Sequence, residues 1–109
     1  MIPAGRRALL LAGLQVLDLA VTQTSSRFGE AHLDHLGVPA GLRPALPLIK
    51  ATSTVALVAT SRRPRARSVV GAGLVSYYVS AATFHILAGD RPADAAPAAL
   101  LALLAASLV

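Results

Sequence analysis

Four apolar stretches run along the chain, separated by polar or Pro/Gly-rich breaks. They cover roughly residues 8–22, 45–60, 68–88 and 93–109. A helix that crosses a bilayer needs about 20 apolar residues, within a range near 17–25. The third stretch meets that unaided, with His85 and no formal charge inside it. The others reach it by borrowing flanking residues, Gly5 and Arg6 before the first and Leu42 to Pro44 before the second. The pattern therefore predicts spans near residues 6–24, 43–61, 68–88 and 93–109, all within one domain of 109 residues. At 1.5 Å per residue about 17 residues cover only 25 Å, so these are short, closely packed helices. Pro3, Pro44, Pro47, Pro64, Pro92 and Pro97 fall at or near the expected helix starts, where a missing N–H costs little.

The longest connection, Gln23 to Arg43, is too polar for lipid. Phe28, Ala31, His32, His35 and Leu36 recur in it at helical spacing, which predicts a short interfacial helix over residues 26–36. Ser26 is its expected cap and Gly37 its expected stop. The expected fold is thus all-α: an integral membrane four-helix bundle with one interfacial helix in the first outer loop.

Composition sharpens this. Hydrophobic residues make up 55% of the chain and charged ones 14%, where a soluble domain carries about 25% charged. Mean hydropathy is +0.65. Too few polar side chains are present to cover a soluble surface, and disorder requires the opposite composition. The absence of Cys excludes disulfides, thiol nucleophiles, c-type haem and thiolate metal sites. With four aromatic residues and no Trp, the chain lacks the stacking platform of a nucleic-acid binder despite its net charge of +5. Charge also carries orientation. Arg6, Arg7, Arg62, Arg63, Arg65 and Arg67 lie on one side, against Arg27, Arg43 and Arg91 on the other with Glu30, Asp34, Asp90 and Asp94. The positive-inside rule then puts both termini and the SRRPRARS loop in the cytoplasm of a multi-pass membrane protein. The same basic loop has lipid-headgroup and nucleic-acid readings, of which topology is the simplest. A cleaved signal peptide is disfavoured because Asp18 interrupts the first apolar stretch and no A-x-A site follows.

Ionisable groups inside spans cost a few kcal/mol each and are site candidates by default. Here they are Asp18, Lys50 and His85. Counted from the expected membrane edge, they lie about 9, 10 and 8 Å deep. That predicts a common level on the outer side. Gln15, Asp18 and Thr22 share one helical face, Lys50 and Thr54 another, Tyr78 and His85 a third. Turned inward, these faces form a polar pocket. Asp18, His85 and Lys50 are its expected catalytic residues, and Gln15, Tyr78, Thr22 and Thr54 its expected substrate contacts. Blander roles compete. Asp18 and Lys50 also suit a register-fixing ion pair, His85 a bond to Asp90, and Tyr77 with Tyr78 simple packing. Gly71 and Gly73 read as close helix contacts. EAHLDH (residues 30–35), with His85, has ligand types for a metal but lacks a convincing shell, so no metal and no cofactor is expected. No Walker, Rossmann or GxSxG motif is present.

The LPLIK segment, the basic hinge and YYVSAATFHILAGD before an Ala/Leu-rich last helix resemble the DoxX-like family of small bacterial membrane proteins. The resemblance runs from about Ala8 to Val109, and Lys50 and His85 match positions where such proteins commonly carry Lys and His. The chain departs from many relatives at the end of the first helix, where Asp18 and VTQTSSRF replace a Gly-x-x-Lys segment. The resemblance implies a four-helix bundle and a likeness to subunits of quinone-linked membrane oxidoreductases. From the residues themselves, the leading expectation is an enzyme acting on a lipophilic small molecule by acid–base chemistry: isomerisation, cyclisation or epoxide opening. The alternative is a non-catalytic quinone-linked subunit or packing partner of a membrane complex. Membrane lipid and a homo-oligomeric or larger assembly are the expected partners.

Overall fold

The computed structural model describes residues 2–24 and 34–109, with backbone alone for residues 21–24. These residues are all helix and connection, with no strand among them. Four long helices follow one another: α1 (Ala4–Thr24), α2 (Ala45–Thr60), α3 (Pro64–Leu87) and α4 (Pro92–Ala106). A helical turn at 34–36 closes on Gly37, whose φ of 72° only glycine adopts freely. The expected cap Ser26 lies outside the described residues.

Prolines set the starts. Pro64 and Pro92 occupy first-turn positions behind extended N-caps Arg63 and Arg91. The third helix therefore opens four residues before the expected 68. Apolarity marks where lipid begins, whereas the charged RAR turn is as helical as the apolar run after it.

Cross-helix contacts fix an up-down-up-down arrangement. Along α1, Gly5 meets Ser61, Gln15 meets Ser53 and Thr54, and Asp18 meets Lys50, so α2 runs antiparallel. Gly71 near the start of α3 lies against Ala105 and Leu108 at the end of α4. The helices pack chiefly as the pairs α1–α2 and α3–α4. Gly71 has no room for a side chain: a Cβ there would stand 3.0 Å from both the Ala105 carbonyl oxygen and Leu108 Cβ. Gly73 is different. A Cβ there would meet nothing within 4 Å, so its expected packing role is corrected: it faces open space.

The ends of the bundle are tied by arginines. The Arg7 guanidinium donates to the Ser107 carbonyl (3.1 Å) and that of Arg67 to the Ser61 carbonyl (2.8 Å). Each thereby satisfies a carbonyl at a helix C-terminus, where a cation also suits the dipole.

The interior is thin. Leu11, Leu57, Leu74, Tyr78 and Leu108 are its buried bulky residues, with Ala8, Ala12, Ala102 and Ala105 between them. Among the described residues eighteen large hydrophobics are exposed, fifteen of them on the four helices. α3 is long and apolar enough to cross a membrane, with a mean hydropathy of 1.4 over its most apolar 18 residues. Only 17% of that window is buried, unlike the core helix of a soluble protein. α2 and α4 are apolar but shorter.

Candidate functional site: a polar network beside a lateral groove

Three helices contribute to one polar network. Gln15 on α1 is fully buried, so its amide must find partners inside the bundle. Its Nε2 donates to Thr54 Oγ1 (2.9 Å) and Ser53 Oγ (3.2 Å) on α2. Its Oε1 accepts from the Tyr78 hydroxyl on α3 (2.8 Å). The Ser53 and Thr54 hydroxyls in turn donate to the Lys50 carbonyl, at 3.1 and 2.7 Å. This is the back-bonding that lets hydroxyl side chains sit within a helix. Tyr77 packs edge-on against Tyr78, with ring centroids 5.1 Å apart.

Asp18 lies three residues beyond Gln15, and Lys50 three before Ser53. The antiparallel register brings them together, and the Lys50 ammonium pairs with the Asp18 carboxylate. The lysine side chain is 16% exposed and that of Asp18 38%. Pairing is what makes both charges tolerable away from water.

His85 belongs with another carboxylate. Gly89 (φ 75°) turns the chain after α3, with Gly89 N–H on the Ile86 carbonyl and Asp90 N–H on the His85 carbonyl. This Schellman closure folds Asp90 back over the helix end. There its carboxylate meets His85 Nδ1 (2.7 Å) and, from the first loop, His35 Nε2. Beside it Arg43 pairs with Asp34 (2.6 Å) and donates to the Val38 carbonyl. Counted from the level of Gln15 and Tyr78, Asp18 is three residues along α1 and His85 seven along α3, a difference of about 6 Å. Asp18 and Lys50 thus share a level, while His85 lies about one turn farther out.

The bond from His35, followed by that from His85, holds the Asp90 carboxyl below its ordinary 3.8. A lowered folded-state value means that the clamp contributes stability above the ordinary value. That contribution is lost as pH falls through the lowered one. Asp90→Asn is accordingly expected to lower the melting temperature at pH 7 and to flatten its decline below about pH 4. Equal melting curves for both proteins between pH 3 and 7 would contradict this.

Of the other expected site residues, Thr54 and Tyr78 join the network directly, while the Thr22 side chain lies outside the described residues. So do Glu30 and His32 of EAHLDH. Among the described residues no group of three ligating side chains is placed to hold a metal ion. Ser53 is an addition to the expected set; it follows Lys50 by three residues and so shares its face, a signal the sequence does contain. Of the expected polar pocket, Gln15 bonds Thr54 and Tyr78 while Asp18 pairs with Lys50, and an open space lies next door. There α2 and α3 enclose a lateral groove of about 490 Å³, lined by Leu48, Ile49, Thr52, Ser53, Ala56, Gly73 and Tyr77 among others. Ser53 belongs to both the groove wall and the network.

The family model of the DoxX-like family matches residues 8–107, nearly the whole chain and all four long helices. The chain belongs to the DoxX-like family. No curated protein and no solved structure matches it. Membership agrees with α3 and the exposed apolar surface in making this DoxX-like chain a membrane-associated, all-helical protein.

Proposed function

We propose that the chain crosses a bacterial cytoplasmic membrane four times, with both termini cytoplasmic. There it acts on a lipophilic small molecule by acid–base chemistry: isomerisation, cyclisation or epoxide opening. The membrane part rests on the outward-facing side chains. Leu9, Leu10, Leu14, Val16 and Leu17 on α1, Leu48, Val55 and Val58 on α2, and Leu100 and Leu103 on α4 all face outward. In water such a surface would drive aggregation; in lipid it costs nothing. Helices of 15 and 16 residues span about 23 Å, enough for a thinned bilayer once flanking turns are added.

One observation carries the catalytic part: the Asp18–Lys50 pair stands one helical turn from Ser53, which borders the groove. Asp18 takes the role of proton acceptor, and Lys50 returns a proton or stabilises developing negative charge on oxygen. Tyr78 and Gln15 orient the hydroxyls between them. His85, held by Asp90, takes a supporting role at the end of α3. The test is turnover of a panel of lipophilic epoxides and enones by protein reconstituted in vesicles. Asp18→Asn and Lys50→Met are expected to lose at least about 100-fold in rate, the usual contribution of a positioned acid or base. A pH–rate profile unchanged by Asp18→Asn would remove the assignment.

A second reading is favoured by the completeness of the Gln15 network, whose donors and acceptors are spent inside the bundle. A chain so satisfied suits a non-catalytic, quinone-linked subunit of a membrane oxidoreductase. It then co-purifies with a larger protein and turns over nothing alone.

A further inference from the structure

The groove between α2 and α3 has a polarity pattern that specifies an occupant. Ala56, Val70, Gly73 and Leu74 form part of its apolar wall, with the space above Gly73 open. Its polar atoms come from Thr52, Ser53 and Tyr77. Gln15 joins Ser53 to Tyr78, so these three neighbours stand at one level, partway along the groove. Ser53 is engaged by Gln15 and the Lys50 carbonyl. The Thr52 and Tyr77 hydroxyls, by contrast, make no hydrogen bond to any described residue. The Ser68 and Ser76 hydroxyls on α3 share that state. The helix hydroxyls of Thr54, Thr60, Ser80 and Thr83 all donate to the carbonyl four residues back. On a lipid-facing wall an idle hydroxyl is costly, because the surrounding hydrocarbon offers no partner.

We infer that the groove binds a neutral lipophile whose apolar body lies over Gly73 and Ala56. Its single hydrogen-bond-accepting oxygen takes the protons of Thr52 and Tyr77. Entry is sideways, from the bilayer. The volume is within the usual range of about 300–1,000 Å³ for small-molecule sites. The acceptor oxygen is specified because both free groups donate, and neutrality because no charged side chain lines the space. The inference rests on the membrane-embedded reading above; the Asp18–Lys50 pair does not itself line the groove. Binding does not depend on that pair.

The test is photolabelling of the full chain in lipid nanodiscs with two diazirine probes of equal length, a long-chain ketone and the corresponding alkane. The ketone is expected to label peptides from α2 and α3. Gly73→Leu, whose Cβ would meet nothing within 4 Å and whose longer side chain fills the groove, is expected to cut that labelling at least about tenfold. Thr52→Val with Tyr77→Phe is expected to weaken ketone labelling about tenfold, the value of one to two net hydrogen bonds, and to leave the alkane unchanged. Labelling spread evenly over all four helices, labelling that survives Gly73→Leu, or equal labelling by both probes would overturn the inference, the last pointing to ordinary lipid chains. Turnover is not part of the readout. Intact labelling with no turnover would therefore sink the acid–base reading and leave the ligand site standing.

Discussion

Replacing Lys50 by Met is expected to lower the free energy of unfolding by about 2–4 kcal/mol, measured by reversible denaturation in detergent. The substitution keeps the length and apolar stem of the side chain, so little packing is lost. What it removes is the Lys50 ammonium that pairs with the Asp18 carboxylate. Breaking a buried pair in this way typically costs about 3–5 kcal/mol. The lower range applies here because the Asp18 side chain is 38% exposed. Replacing both partners by Leu removes the carboxylate together with the ammonium and should recover most of the loss. The comparison also separates roles: a pair that serves only to fix register can be replaced by apolar side chains without loss of function, whereas a proton-transferring pair cannot. A stability change under about 0.5 kcal/mol for Lys50→Met would mean that Asp18 finds another cation or water, and the pair would lose its place at the centre of the site.

Gln15→Leu should cost about 2–3 kcal/mol, and its partner mutation decides why. The change strands the Tyr78 hydroxyl, which is buried and donates to Gln15. The Ser53 and Thr54 hydroxyls keep the Lys50 carbonyl and lose less. Leaving a buried donor unpaired costs about 1–3 kcal/mol, whereas removing both partners is close to neutral. Tyr78→Phe alone should therefore cost about 1 kcal/mol, and the Gln15→Leu/Tyr78→Phe double variant should be more stable than Gln15→Leu. Simple additivity of the two single changes would show that the network is incidental to the fold.

Helix number, order and the meeting of Asp18 with Lys50 are legible in the residues, and for a physical reason. Charges inside apolar stretches are so costly that few arrangements tolerate them, and counting residues from a helix end gives depth directly. Gln15, Thr54 and Tyr78 follow from helical faces. Other features depend on register, which residue counting leaves loose by about a turn. Counting gives His85 the depth of Asp18 only if its helix leaves the membrane near Asp90. The Gln15–Tyr78 contact fixes the true offset and hands His85 to Asp90. The bond between His35 and Asp90 spans 55 residues, and no local pattern announces it. Gly71 and Gly73 look alike in the sequence. Only the direction each faces shows that one admits a neighbouring helix and the other opens a groove.

Arg7 and Arg67 carry a double duty. Both belong to the basic residues that the positive-inside rule counts, and lysine counts there equally well. In the folded bundle each reaches a backbone oxygen at the end of a neighbouring helix, a task suited to the long, forked guanidinium. A drift to lysine would therefore keep the positive charge and erode the tie to the neighbouring helix end.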